Sequence, residues 1–78
     1  GETAGFRWND FAGFSAADDR EGNLGSIVHV DESTMNVLFV VKRPDGTECF
    51  IPAHEVFIHD IDYDNRHILF NLPDGLLD

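Results

Sequence analysis

Apolar residues in this chain come in short blocks separated by polar clusters, and no block repeats with a helical period. Positions 67–72 alternate: Ile68, Phe70 and Leu72 fall on one face of an extended segment, and His67, Leu69 and Asn71 on the other. Positions 36–42 do not alternate. Val37, Leu38, Phe39, Val40 and Val41 are all apolar, the pattern of a central strand covered on both sides, with a neighbouring domain as one candidate cover. Further segments rich in Val, Ile and Phe lie at 14–17, 24–30, 48–51 and 56–61, so the pattern predicts about six strands.

The polar clusters between them carry turn chemistry. Asp18-Asp19-Arg20-Glu21-Gly22-Asn23, Asp31-Glu32-Ser33-Thr34, Arg43-Pro44-Asp45-Gly46 and Asp64-Asn65-Arg66 all tolerate turn dihedrals or bond their own backbone. Pro44-Asp45-Gly46 can close a hairpin between the third and fourth strands, because Pro presets φ and Gly accepts positive φ. Pro52 has no N–H to give a ladder and should end the fourth strand. Short helical turns are expected after Asn9-Asp10 and around Pro73-Asp74-Gly75. Short strands joined by tight turns imply an all-β domain with an antiparallel sheet. Closing that sheet into a small closed or nearly closed barrel would bury one face and remove its edges.

Length and composition narrow this further. Seventy-eight residues fill one hydrophobic core, and 42% hydrophobic residues with seven Phe suffice for it. The small polar stretch 1–5 reads as a linker or cloning remnant, and 6–78 as the domain. One cysteine, Cys49, excludes an internal disulfide framework and fits a reducing, cytoplasmic location. No apolar run reaches the length of a helical membrane span.

Charge changes the picture most. Fifteen Asp and Glu oppose five Lys and Arg, a formal net charge of -10. The cations Arg7, Arg20, Lys42, Arg43 and Arg66 are scattered, so the average field repels nucleic acid and attracts a basic protein. His29, His54, His59 and His67 raise the question of a metal. His59 stands near Asp60 and Asp62, yet neither spacing nor residue set matches a zinc or non-haem iron pattern. No paired carboxylates, phosphate loop or nucleophile elbow suggests catalysis, and no cofactor is expected.

The order of small motifs resembles the PRC-barrel domain that forms the C-terminal half of the RimM family of ribosome maturation factors. Trp8-Asn9-Asp10-Phe11-Ala12-Gly13 is similar to its aromatic opening, and Gly22-Asn23-Leu24-Gly25-Ser26-Ile27-Val28 to its second strand. Positions 36–41 look like its central strand, and Ile51-Pro52 like the end of the next. Asp60-Ile61-Asp62, Ile68 and Pro73-Asp74-Gly75-Leu76-Leu77 match its closing strands and tail.

The resemblance implies a non-enzymatic factor for 16S rRNA processing and 30S subunit assembly, with a separate N-terminal domain. It also implies a protein partner, the nineteenth ribosomal protein of the small subunit, in the subunit head. The family's pair of tyrosines ahead of the Trp falls here on Phe6 and Arg7, so Phe6, Arg7 and Trp8 form the expected partner-binding patch. Against it stands a structural role, with Phe6 and Trp8 simply packing on the barrel or on the missing domain. Other functions considered are a general PRC-barrel interaction domain with a different partner and weak direct binding of rRNA by stacked Phe rings.

Overall fold

The computed structural model describes residues 7–77, and within them the chain is all-β apart from two short 3-10 turns. The first turn, Trp8–Phe11, leads into β1 (Ser15–Asp18), β2 (Gly22–Asp31), β3 (Leu38–Lys42) and β4 (Glu48–Pro52). The second turn, Glu55–Phe57, precedes β5 (Ile58–Asp62) and β6 (His67–Phe70). All six expected strands are present. Residues 56 and 57 were expected in the fifth strand but lie in the second turn, where the His54 ring nitrogen accepts the Val56 N–H at 3.2 Å and starts a tight turn instead.

One six-stranded sheet runs in the order β4-β3-β2-β1-β6-β5 and curls around a single core. β4 and β5 lie at its two ends, so the barrel is nearly closed rather than closed by a continuous ladder. Four of the pairings are antiparallel, as the tight turns require. The pairing of β1 with β6 is parallel, with Ala16 opposite Ile68 and Asp18 opposite Phe70. No tight turn joins these two strands, so nothing local constrains their direction. The curl of the sheet brings them together.

The β3–β4 hairpin closes through Pro44, Asp45 and Gly46. Arg43 and Thr47 bond across it, and Gly46 sits at positive φ. β4 ends at Pro52, as expected for a residue without an N–H.

β2 departs from simple alternation. Its buried residues are Leu24, Ile27 and Val30, a spacing of three. Two register shifts produce it, one around Leu24 against β1 and one at Val28 against β3. Each inserts an extra residue and returns the next apolar side chain to the inside.

The core joins these residues to Phe11, Phe14, Phe39, Val41, Ile51, Ile68, Phe70 and Leu72. Phe39 is fully buried, with Trp8, Phe11 and Phe70 ring centroids 5.7–6.1 Å away. These tilted or edge-on contacts are the favoured geometry for aromatic rings. Leu76 and Leu77, half-buried, pack on the same core.

Candidate functional site

The expected patch begins at the first 3-10 turn. The Asp10 N–H bonds the Arg7 carbonyl at 3.1 Å, and the Ala12 N–H bonds that of Asn9 at 3.2 Å. This winding points Trp8 back onto the barrel. Its ring meets Phe39 edge-on at 5.7 Å and Phe11 at 6.1 Å, leaving the side chain half-buried. Arg7 is exposed on extended backbone just outside. Phe6 lies outside the described residues. Trp8 therefore has a structural duty, packing half-buried against the core, while the preceding Arg7 is exposed.

The histidines are dispersed. Among the described residues no three His, Cys, Asp or Glu side chains gather in a way that could hold a metal ion. His54 caps the second 3-10 turn, and His67 Nδ1 lies 2.6 Å from the Ser15 hydroxyl. His59 contacts Asp19 at 2.8 Å. That hydrogen bond, and then the charge of Asp19, raises its pKa above the ordinary value. Asp62 accepts the N–H and the side-chain amide of Asn65, which lowers its pKa and commits it to the β5–β6 turn.

A buried carboxylate escaped the sequence reading. Asp18, at the end of β1, is only 3% exposed. Its Oδ2 accepts the N–H groups of Arg20 and Glu21, both at 2.9 Å, and its Oδ1 accepts that of Leu72 at 2.8 Å. Arg20 reaches over to the Leu72 carbonyl at 2.8 Å and pairs with Asp74. Both oxygens accept from the turn after β1 or from the C-terminal tail. The site is a clasp, not an acid–base centre. Its only signal in the sequence is an Asp opening a turn cluster, which most often means an exposed cap.

The outer face of the sheet is unevenly polar. In register across β2, β3 and β4 lie Asp31, Leu38 and Pro52, then His29, Val40 and Phe50, then Ser26, Lys42 and Glu48. Phe50 is 55% exposed there, and Val28, the extra residue of the bulge, is 50% exposed. The non-alternating stretch expected as a strand at 36–42 is β3 only from Leu38 onward, and within it Phe39, Val40 and Val41 are buried while Lys42 is exposed. Phe39 and Val41 enter the core, whereas Val40 lies on the outside beneath its neighbours.

A family model described as the RimM PRC barrel domain matches residues 8–76. Among curated proteins, the Ribosome maturation factor RimM of Bacteroides thetaiotaomicron is 49% identical over 70 residues, 90% of this chain and 39% of that protein. The protein of the same name from Porphyromonas gingivalis is 42% identical over 72 residues, 92% of this chain and 41% of its own length. The chain thus spans about two fifths of these relatives. Among solved structures, a protein described as a 16S ribosomal RNA processing protein RimM from Pseudomonas aeruginosa superposes with a TM-score of 0.75. That match covers 92% of this chain and 46% of the other at 24% identity, a likeness of fold.

Proposed function

The chain belongs to the RimM PRC barrel domain family, and on that premise we propose that it is a non-enzymatic holding module in maturation of the small ribosomal subunit. Its partner in this reading is a basic ribosomal protein of the subunit head, the nineteenth of the small subunit, which it keeps in a productive arrangement while the 16S rRNA around it matures. The observation that carries the reading is 42–49% identity to proteins named Ribosome maturation factor RimM. The formal net charge of -10 supports a basic protein over RNA as the direct ligand, because opposite net charge steers encounter and like charge slows it. Arg7 and the outward part of Trp8, with Phe6, are the proposed contacts.

The longer reach of the relatives supports a second domain in the full-length factor, N-terminal by the resemblance, and a cytoplasmic setting follows from the same reading. No helix among the described residues is long and apolar enough to cross a membrane.

Pull-down of the purified ribosomal protein at rising salt tests the reading. Capture at low salt should fade as screening shortens the range of the field to about 8 Å near physiological ionic strength. No capture at any salt would end it. Arg7→Ala and Trp8→Ala, measured separately, test the patch: full affinity in both folded variants removes these residues from the contact. Binding of subunit-head RNA in a gel shift, with none of the protein, would favour direct rRNA recognition instead.

A further inference from the structure

A sheet with one solvated face ordinarily alternates apolar inward and polar outward. On their outer side β3 and β4 break that rule, and β2 adds only Val28, the extra residue of its bulge. Val40 is flanked in register by His29 and Phe50, and the adjacent row pairs Leu38 with Pro52. Cross-strand neighbours of this kind stand about 5 Å apart at Cβ, so the apolar side chains form one patch rather than scattered residues. Val40 is only 8% exposed although it faces away from the core, whereas Phe50 is 55% exposed. Phe50 offers a half-open aromatic surface beside apolar neighbours, the composition of an interface anchor.

We infer that this outer face of β2, β3 and β4, centred on Phe50, is a docking surface for a basic protein, separate from the turn that carries Arg7 and Trp8. Charge selects the occupant. Asp31 lies at one end of the patch and Glu48 at the other, Glu32 and Asp45 stand in the flanking turns, and Lys42 and Arg43 are the cations among them. A second copy of the chain would bring another net charge of -10 against the first, and RNA would bring phosphates. A partner with a lysine- or arginine-rich surface around an apolar cleft meets both the ring and its rim.

The inference rests on the proposed reading that the domain binds a basic ribosomal protein, so the test separates the two. The affinity of the intact 78-residue chain for that purified protein is measured by calorimetry for the unaltered sequence, Phe50→Ser, Val28→Thr and Met35→Ser. Phe50 and Val28 lie outside the core, so the variants should keep the native circular dichroism spectrum. Phe50→Ser should weaken binding about tenfold or more, the effect of losing an interface anchor. Val28→Thr should weaken it by a smaller factor. Met35, fully exposed in the β2–β3 loop, should tolerate Ser without change. Tight binding by the unaltered chain with equal affinity in Phe50→Ser would overturn the surface and leave the reading intact. Absence of binding by the unaltered chain would remove both. Sedimentation of the chain alone as a dimer, reverting to monomer in Phe50→Ser, would assign the face to a second copy and overturn the inference.

Discussion

Asp18 and Leu72, 54 positions apart, are joined by a 2.8 Å hydrogen bond from the Leu72 N–H to the buried carboxylate, which ties the end of β1 to the start of the tail. Burial alone would push the Asp18 pKa up. The N–H groups of Glu21, Leu72 and Arg20, with the Arg20 charge, outweigh it and hold the carboxyl below its usual range. Asp18→Ala leaves buried donors unsatisfied and should cost about 2–4 kcal/mol, read by urea denaturation. A loss below half a kcal/mol would show that water replaces the carboxylate.

The same residue sets an acid limit. A carboxyl depressed in the folded state contributes fully above its unfolded-state value, about 3.9, and loses that contribution as pH falls through the folded value. Asp18→Asn should be less stable near neutrality, because its amide NH2 cannot accept from the turn, and the gap to the unaltered chain should narrow below pH 3.9 or so. Melting curves across pH 2–7 give the comparison; parallel curves would mean that Asp18 ionises alike in both states.

His59 gives the opposite sign. Hydrogen bonding to Asp19, then its charge, raises the imidazole above 6.5, while partial desolvation opposes this and Asp60 adds to it. A raised folded-state pKa contributes stability below the unfolded value and loses it as pH climbs through the folded one. NMR titration of the His59 ring should give a higher midpoint in the unaltered chain than in Asp19→Asn. Equal midpoints would show that the pair does not form in solution.

Gly25 marks where β2 presses on β3. A Cβ built there would lie 2.0 Å from the Lys42 carbonyl oxygen and 3.0 Å from Arg43 Cα, on backbone at φ +126. Gly25→Ala therefore requires the strands to part and should cost more than about 3 kcal/mol. Gly46 also has positive φ, but open space surrounds it, so Gly46→Ala should cost only about 1–2 kcal/mol. Thermal melts of the two variants test the contrast; equal losses would mean that dihedral strain, not the close approach, sets both.

Trp8 carries packing whatever else it does. Trp8→Ala should destabilise by about 2–3 kcal/mol, somewhat less than for a fully buried ring, whereas Trp8→Phe should cost under about 1.5 kcal/mol. Denaturation followed by far-ultraviolet circular dichroism avoids dependence on the lost indole. An alanine variant as stable as the unaltered chain would free Trp8 from the core.

The sequence alone determined the six strands, the hairpin at Pro44–Gly46, the end of β4 at Pro52 and the inward set Ile68, Phe70 and Leu72. All of these follow from side-chain alternation or from the dihedrals of Pro and Gly, which act over a few residues. Its acidity pointed to a basic protein partner, and its motif order to the family. Tertiary structure alone decided that β1 lies parallel to β6, that β2 buries every third residue, that Asp18 is a clasp rather than a surface cap, and that Trp8 is half committed to Phe39. Each of these depends on which distant segment arrives alongside. Barrel curvature and core filling choose that neighbour, and a bulge or a buried carboxylate is tolerated only once the neighbour supplies the remaining contacts.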